Sequence, residues 1–322
     1  MSNTMIDSLN VSDEDRQKIR EMKEEANRVA NENWDDPVWR REMAADLTEE
    51  IYRGFQHENL LSLYANVENL GFTDRSFVKE VRGLRAFWVS RGGYIEASDM
   101  RADVMEIPRD TIGFHVYEFE DKLRTSFAET QQTLVRLAGQ RMDAEINLRV
   151  FSLFQAAVPS SSDYYDQGAG LSLNNLNAAL RRVRDESNEG NVTIIGRATM
   201  TDQIVDQLVS NNSYPAFLPE SNEEMLRRGV LGVYRGARVV TLQNYDDDTR
   251  RPFFPANELW VVGRDASKFA FFGGLLNKEY VEDDNWYWHY LARRDFGGVV
   301  HRPERLHRIV DTSQEAYTNK AS

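Results

Sequence analysis

The residues best suited to proton or metal chemistry are five histidines, His57, His115, His289, His301 and His307, and the closest two of them stand six apart. That is a poor helical spacing for a shared ion. His289 sits among strand aromatics (NWYWHYLA) and reads as a packed, hydrogen-bonded side chain. Asp246-Asp247-Asp248 would suit a divalent cation, but it lacks the glycine and terminal glutamate of a calcium loop and reads as a solvated turn. Acidic pairs such as Asp283-Asp284 are too numerous to nominate a general acid and base. The chain has no cysteine, which excludes a thiol nucleophile, a Cys-ligated zinc or iron–sulfur centre and a disulfide framework. There is no G-x-x-x-x-G-K-[ST], no G-x-S-x-G and no H-E-x-x-H. The glycine pairs Gly92-Gly93, Gly273-Gly274 and Gly297-Gly298 form no phosphate cradle and read as turns. No catalytic residue, metal ligand or cofactor site is expected.

Composition narrows the class further. The 322 residues carry 39 basic against 52 acidic side chains, a net charge of −13. A protein that grips phosphate backbones as its main task should be basic, so free nucleic-acid binding is disfavoured. No apolar run approaches the roughly 20 residues that span a bilayer, and the polar, acidic N-terminus is not a secretory signal. The chain is therefore expected to be made in the cytoplasm. Its first 60 residues hold 15 acidic and 8 basic side chains, a net of −7, which concentrates about half the total charge there.

The elements follow from apolar periodicity. Ile19, Met22, Ala26, Val29 and Ala30 mark a helix with a narrow apolar stripe, too thin to dock deeply on a private core. A second helix is predicted around Met43–Phe55, after Trp34, Pro37 and Trp39. Residues 84–116 read as a long two-stranded excursion, with β-prone ends around Gly92-Gly93 and a polar stretch. Arms of about 12 residues would reach on the order of 40 Å. A lone hairpin is marginal in water, so Phe87, Trp88, Tyr94 and Ile95 near its far end need a covering surface. A helix is predicted between Tyr117 and Val158, on the order of 60 Å long, with Gly139 as the candidate bend. From Leu171 the chain reads as a compact α/β unit. Its strands are predicted at Asn191–Ala198, within 229–242, at Glu258–Gly263, at Lys268–Phe272 and at Asn285–Ala292, the last apolar on both faces and hence buried on both, by its own fold or by a partner. Two projections that cannot be stable alone point to self-association; contacts between unlike patches propagate into rings, shells or filaments.

The order of these parts resembles the major capsid proteins of tailed bacteriophages, those of actinobacteria in style. NVTIIGRATMTDQIVDQL looks like the strand and helix of that family's axial domain. GVLGVYRGARVV resembles its recurring strand entry. ANELWVVGRDASKFAFFGG followed by DNWYWHYLARRDFGGVVHRPERLHRIV is similar to the return into the peripheral domain, with Arg302-Pro303 at its short turn. The resemblance covers roughly residues 60–312, and the leading segment matches by role alone.

It implies an α+β, HK97-type capsid fold. The parts would be an N-terminal arm (1–75), an extended β-hairpin or E-loop (76–116), a peripheral domain with a long spine helix (117–170), an α/β axial domain (171–270), and a return to the peripheral domain with a C-terminal tail (271–322). It implies hexamers and pentamers in an icosahedral shell enclosing double-stranded DNA without sequence-specific binding, with scaffold and portal proteins as partners, no membrane, and a place in the virion. Some members weld subunits through a hairpin lysine. Residues 84–116 contain no lysine, the nearest being Lys79 and Lys122, so assembly is expected to be non-covalent. Some members also lose a leading scaffolding segment; with Met1 present, no such cleavage is expected. Expected inter-subunit contacts are Arg85, Trp88, Arg91, Gly92, Gly93, Tyr94, Ile95, Arg101 and Arg109, the arginines being suited to bidentate carboxylate pairing. An encapsulin-like cellular compartment is the alternative with the same fold.

Overall fold

A computed structural model describes residues 13–58, 61–82, 101–187, 191–210, 217–219, 230–242, 254–282 and 286–314. In chain order the helices are α1 (Asp13–Asn33), α2 (Pro37–Glu58), α3 (Leu61–Tyr64), α4 (Glu120–Ala157), α5 (Leu173–Glu186) and α6 (Ala198–Ser210). The strands are β1 (Asn66–Leu70), β2 (Phe77–Arg82), β3 (Arg101–Glu106), β4 (Asp110–Phe119), β5 (Tyr165–Gly168), β6 (Val192–Arg197), β7 (Phe217–Pro219), β8 (Val230–Tyr234), β9 (Ala237–Leu242), β10 (Glu258–Gly263), β11 (Ser267–Glu282), β12 (Tyr287–Val300) and β13 (Leu306–Asp311). They form a four-stranded sheet in the order β1-β11-β12-β4, a seven-stranded sheet in the order β5-β13-β10-β6-β9-β8-β7, and the pair β2-β3. Contacts divide the chain into two compact units.

The first unit comprises the segments Met1–Asn59, Ile112–Asp143 and Leu275–Arg294. α2 starts where chemistry favours a start: the Asp36 carboxylate accepts the Val38 amide at 2.8 Å, and Pro37 takes the first helical position, where a missing N–H costs nothing. The inward side chains Trp288, Tyr290 and Ala292 of β12 meet Ala30, Trp34, Met43, Ala44, Leu47 and Ile51 from α1 and α2, and Leu123, Phe127 and Ala138 from α4. The narrow stripe on α1 is too thin for deep docking, and of its five residues only Ala30 is buried. Trp34, immediately past the helix, is wholly buried and holds the end of α1 in place. The Asn27 side chain accepts the Ala128 amide at 3.0 Å, and Lys23 lies 3.9 Å from Glu129. Ile19, Met22 and Val29 remain exposed.

α4 has 38 residues, and its departure from helical geometry falls at Ser126 (φ −138°, ψ 40°) rather than at Gly139. The Thr125 and Ser126 hydroxyls both donate to the Lys122 carbonyl, at 3.2 and 2.8 Å. Such back-bonding competes with the helical ladder and bends helices.

The second unit comprises Leu60–Thr111, Ala144–Gly274 and Asp295–Ser322. Its central strands β6 and β10 are buried at every position but Arg197, as predominantly apolar runs require. One cluster joins Leu176, Leu180 and Val183 of α5 and Met200 and Ile204 of α6 to Ile194, Val239, Leu259 and Val261. A second, aromatic cluster links Phe151 and Phe154 of α4 to Tyr64, Phe254, Trp260 and Phe269. Buried Glu258 is satisfied by Gln155, Arg308 and the Trp260 indole N–H, and it fastens β13 to β10. Asp311 would be raised by burial, but the Ser313 hydroxyl, the Gly170 and Ser313 amides and Gln203 donate to it and hold it below the usual carboxylate range.

The glycine pairs also differ from expectation. Gly273-Gly274 and Gly297-Gly298 are not turns; they lie inside β11 and β12, which run on as strands of 16 and 14 residues. A Cβ on Gly297 would strike the Pro108 carbonyl, and one on Gly298 would strike the Phe269 ring. Gly297 is required for close approach, not for chain reversal. Gly297→Ala is therefore expected to lower stability by about 1–3 kcal/mol in denaturant titration, as overpacking does, whereas Gly274→Ala, whose Cβ would meet open space, should be nearly neutral.

His307 on β13 is buried and hydrogen-bonded to Asp166 at 2.9 Å. Burial pushes its pKa below the ordinary value and outweighs Asp166. The unfolded chain then takes up a proton, near pH 6.5, that the folded chain refuses. Stability is full above about pH 6.5 and is lost as pH falls from there through the folded value. Thermal unfolding should show this acid-side loss, and His307→Gln should flatten it; an unchanged slope would remove His307 as the cause.

Candidate inter-subunit surfaces

The root of the predicted hairpin is a regular antiparallel pair, running from Phe77↔Glu106 to Arg82↔Arg101. One side of it is anchored: Val78 and Ile107 are buried with Ala270 and Phe272, and the Ile107 amide bonds the Ser76 carbonyl at 3.0 Å. Its other side is bare, with Phe77 and Val104 exposed; Met105, paired with Val78, is exposed as well. Arg85, Trp88, Arg91, Gly92, Gly93, Tyr94 and Ile95 lie outside the described residues, as does the Arg101 side chain, so the structure brings none of them together.

Arg109 is placed, and it is engaged within its own chain. Its Nε donates to Asp295 at 2.8 Å, one terminal nitrogen donates to the Phe72 carbonyl at 2.8 Å, and the guanidinium lies over the Phe72 and Phe272 rings. Thr111 donates to the other Asp295 oxygen at 2.7 Å. With these partners Arg109 ties the foot of β4 to β12. A planar, stacking guanidinium suits that position better than an ammonium would.

A second surface was not singled out from the sequence. Within the first unit, the outward positions of β4 are Gly113, His115, Tyr117 and Phe119, and those of β12 are Tyr287, His289 and Leu291. β11 adds Leu276, Lys278, Tyr280 and Glu282. Tyr117, Phe119, Leu276, Tyr280 and the neighbouring Trp286 are all exposed, and the rings touch: Tyr117 and Phe119 meet Tyr287 edge-on at 5.6 and 5.4 Å. A hollow of about 750 Å³ is lined by Gly113, His115, Leu276, Lys278, Leu291 and Arg293 among others. A solvated sheet face is ordinarily polar, and an aromatic one marks a contact site. The signal was the alternation HVYEF in β4, legible only once β4 is known to lie beside β12.

The same face brings His115 and His289 together, with His115 Nε2 2.9 Å from His289 Nδ1. Among the described residues no group of three or more His, Asp or Glu side chains is gathered to hold a metal ion, and no helix is long and apolar enough to cross a membrane. Asp246-Asp247-Asp248 and Asp283-Asp284 lie outside the described residues.

This mixture of sheets and helices is the HK97-type capsid architecture. A chain of Microbacterium phage Oxtober96 is similar over 79% of this chain and 91% of its own, at 12% identity and a TM-score of 0.56. The capsid of Cyanophage P-SCSP1u is similar over 76% of this chain and 86% of that one, at 11% identity and a TM-score of 0.54. A virus-like particle from Pyrococcus furiosus is similar over 82% of this chain and 98% of that one, at 13% identity and a TM-score of 0.50. No curated protein matches the chain. The family model for the SPbeta prophage-derived putative capsid protein YonB matches residues 12–285, and the chain belongs to that family. It is a phage capsid protein.

Proposed function

We propose that copies of this chain assemble into the hexamers and pentamers of an icosahedral shell that encloses double-stranded phage DNA, and that the role is structural and not catalytic. The observation that carries this is the family match over most of the chain, together with apolar surface left bare at the root of the hairpin and on the outer sheet face. Scaffold and portal proteins are the expected assembly partners, the host bacterial cytoplasm the site of synthesis, and the virion the destination. The proposed parts are an N-terminal arm (1–75), an E-loop (76–116), a peripheral domain with its spine helix (117–170), an axial domain (171–270), and a return with tail (271–322).

Residues 83–100, beyond the anchored root, supply the reach to a neighbouring subunit. Arg85, Trp88, Arg91, Tyr94, Ile95 and Arg101 make the contact there, with Gly92-Gly93 at the turn. Arg109 steadies the base through Asp295. Interfaces of about 1,600 Å², repeated around each copy and centred on aromatic anchors, hold such an assembly without welds. The net charge of −13 suits a container, because a wall that bound DNA tightly would resist its release. A cellular compartment shares the fold, but the matching family is that of a prophage capsid protein.

Expressed full-length chain should sediment as capsomers or megadalton particles. Trp88→Ala should remain soluble and folded while particle yield drops about tenfold or more, as loss of a central aromatic anchor predicts. Normal particles from that variant would remove Trp88 from the interface. Denaturing electrophoresis of particles should show single chains; a ladder would disprove non-covalent assembly. Enzyme cargo in place of DNA inside purified particles would favour the compartment.

A further inference from the structure

His115 on β4 and His289 on β12 are 174 positions apart in the sequence and 2.9 Å apart in space. Three features make this more than a chance contact. First, Glu282 on β11 lies 3.4 Å from His289 Nε2, on the far side of the ring from His115. A carboxylate accepting the Nε2 proton leaves the Nδ1 lone pair bare and aimed at His115, the arrangement in which metal-ligating histidines are usually held. Second, the His289 ring is fixed before any ion arrives. Tyr280 stacks on it at 4.6 Å and 8°, Tyr117 flanks it at 6.0 Å, and its side chain is only 12% exposed. Third, His115 is exposed and borders the hollow lined by Gly113, Leu276 and Leu291. The hollow leaves room beside the ring for water to fill further coordination positions.

We propose that His115 and His289 form a bidentate site for a tetragonal divalent ion, Cu(II) first and Ni(II) second, with Glu282 orienting His289 from behind. The spacing, that of a hydrogen bond between the rings, also lies near the separation of cis ligands on one ion. With metal–nitrogen bonds of about 2.0–2.1 Å, nitrogens 2.9 Å apart subtend about 90° at a shared ion. That is the cis angle of a square-planar or octahedral centre, whereas the tetrahedral angle of Zn(II) asks for about 3.3 Å between them. The general order of divalent affinities favours Cu(II) over Zn(II) as well. The protons balance. Without the ion, His115 Nε2–H donates to His289 Nδ1 while His289 Nε2–H donates to Glu282. With it, His115 carries its proton on Nδ1, both facing nitrogens give their lone pairs to the metal, and two neutral rings release no net proton. Water completes the coordination.

His115 and His289 share the sheet face that the shell reading offers for contact, but whether they bind an ion does not bear on whether copies assemble. Untagged full-length chain is titrated with Cu(II) and followed by calorimetry and electron paramagnetic resonance. One ion per chain is expected, with hyperfine structure from two imidazole nitrogens. His115→Ala, on the exposed ring, should lower affinity about 100-fold and leave at most one nitrogen in the spectrum. Glu282→Gln should weaken binding about tenfold while keeping both nitrogens, the size of effect expected for an orienting partner. Zn(II) at equal concentration should fail to displace Cu(II). The proposal is overturned if the wild-type spectrum lacks two nitrogens, if His115→Ala and His289→Gln both bind as the wild type does, or if Zn(II) competes on equal terms.

Discussion

A strand presents alternate side chains to opposite faces, and in the first unit the chain's own helices cover only one of them. Trp288, Tyr290 and Ala292 of β12 point inward to the cluster built on Trp34, where Trp39, Phe127 and Trp288 all meet the indole edge-on at 6.0–6.5 Å. Rings of this size bury about 150–250 Å² each, several kcal/mol apiece at about 25 cal/mol per Å². A polar knot sets the register: the Thr48 hydroxyl lies 2.7 Å from Tyr290 Oη, and Asn277 donates to both Thr48 and the Ala44 carbonyl. Once these inward residues are fixed, Tyr117, Phe119, Tyr280 and His289 have no choice but to face outward. The bare aromatic face is the other half of the same constraint.

The hairpin root obeys the same logic on a smaller scale. Two strands alone bury too little to persist, and β2-β3 persists because Val78 and Ile107 share a cluster with Ala270 and Phe272. Arg109, spread across Phe72, Phe272 and Asp295, fastens the chain just past the root. Its many partners show how an arginine that seems free in a sequence is absorbed by its own fold. The backbone of β2 and β3 is paired in register to its last described residues, so whatever the segment beyond reaches, it leaves from a fixed base.

The architecture was readable because it rests on local periodicity. The amphipathic runs of α5 and α6, the mostly apolar strands β6 and β10 and the long helix α4 each announce themselves within a dozen or so residues. What the sequence hid depends on partners far along the chain. Trp34 looks like a helix interruption until Phe127 and Trp288 surround it. Gly297 looks like a turn until the Pro108 carbonyl occupies the place of its Cβ. Ser126 bends α4 through hydroxyls that bond backward, while Gly139, the residue more prone to bend, stays helical. His115 and His289 are the extreme case. Helical spacing is a sound test for ligands on one helix, and it is blind to two strands that meet across a sheet.

Charge and apolar surface together decide what kind of attraction can join copies of this chain. Each carries −13, so at distances beyond about 8 Å, the screening length at physiological salt, two copies gain nothing from approaching one another. Many of the described acids are already committed within the chain, as Asp295 is to Arg109, Glu258 to Arg308 and Asp35 to Arg124, which leaves their cations unavailable to a neighbour. Attraction must then act at short range, between apolar side chains or through paired charges, and only when surfaces fit. The exposed side chains meet that need, since Phe77 and Val104 line one side of the hairpin root, and Tyr117, Phe119 and Tyr280 one face of a sheet. A contact that is weak until shapes match and repulsive elsewhere favours one arrangement over indiscriminate clumping, which is what a closed shell demands of its building block.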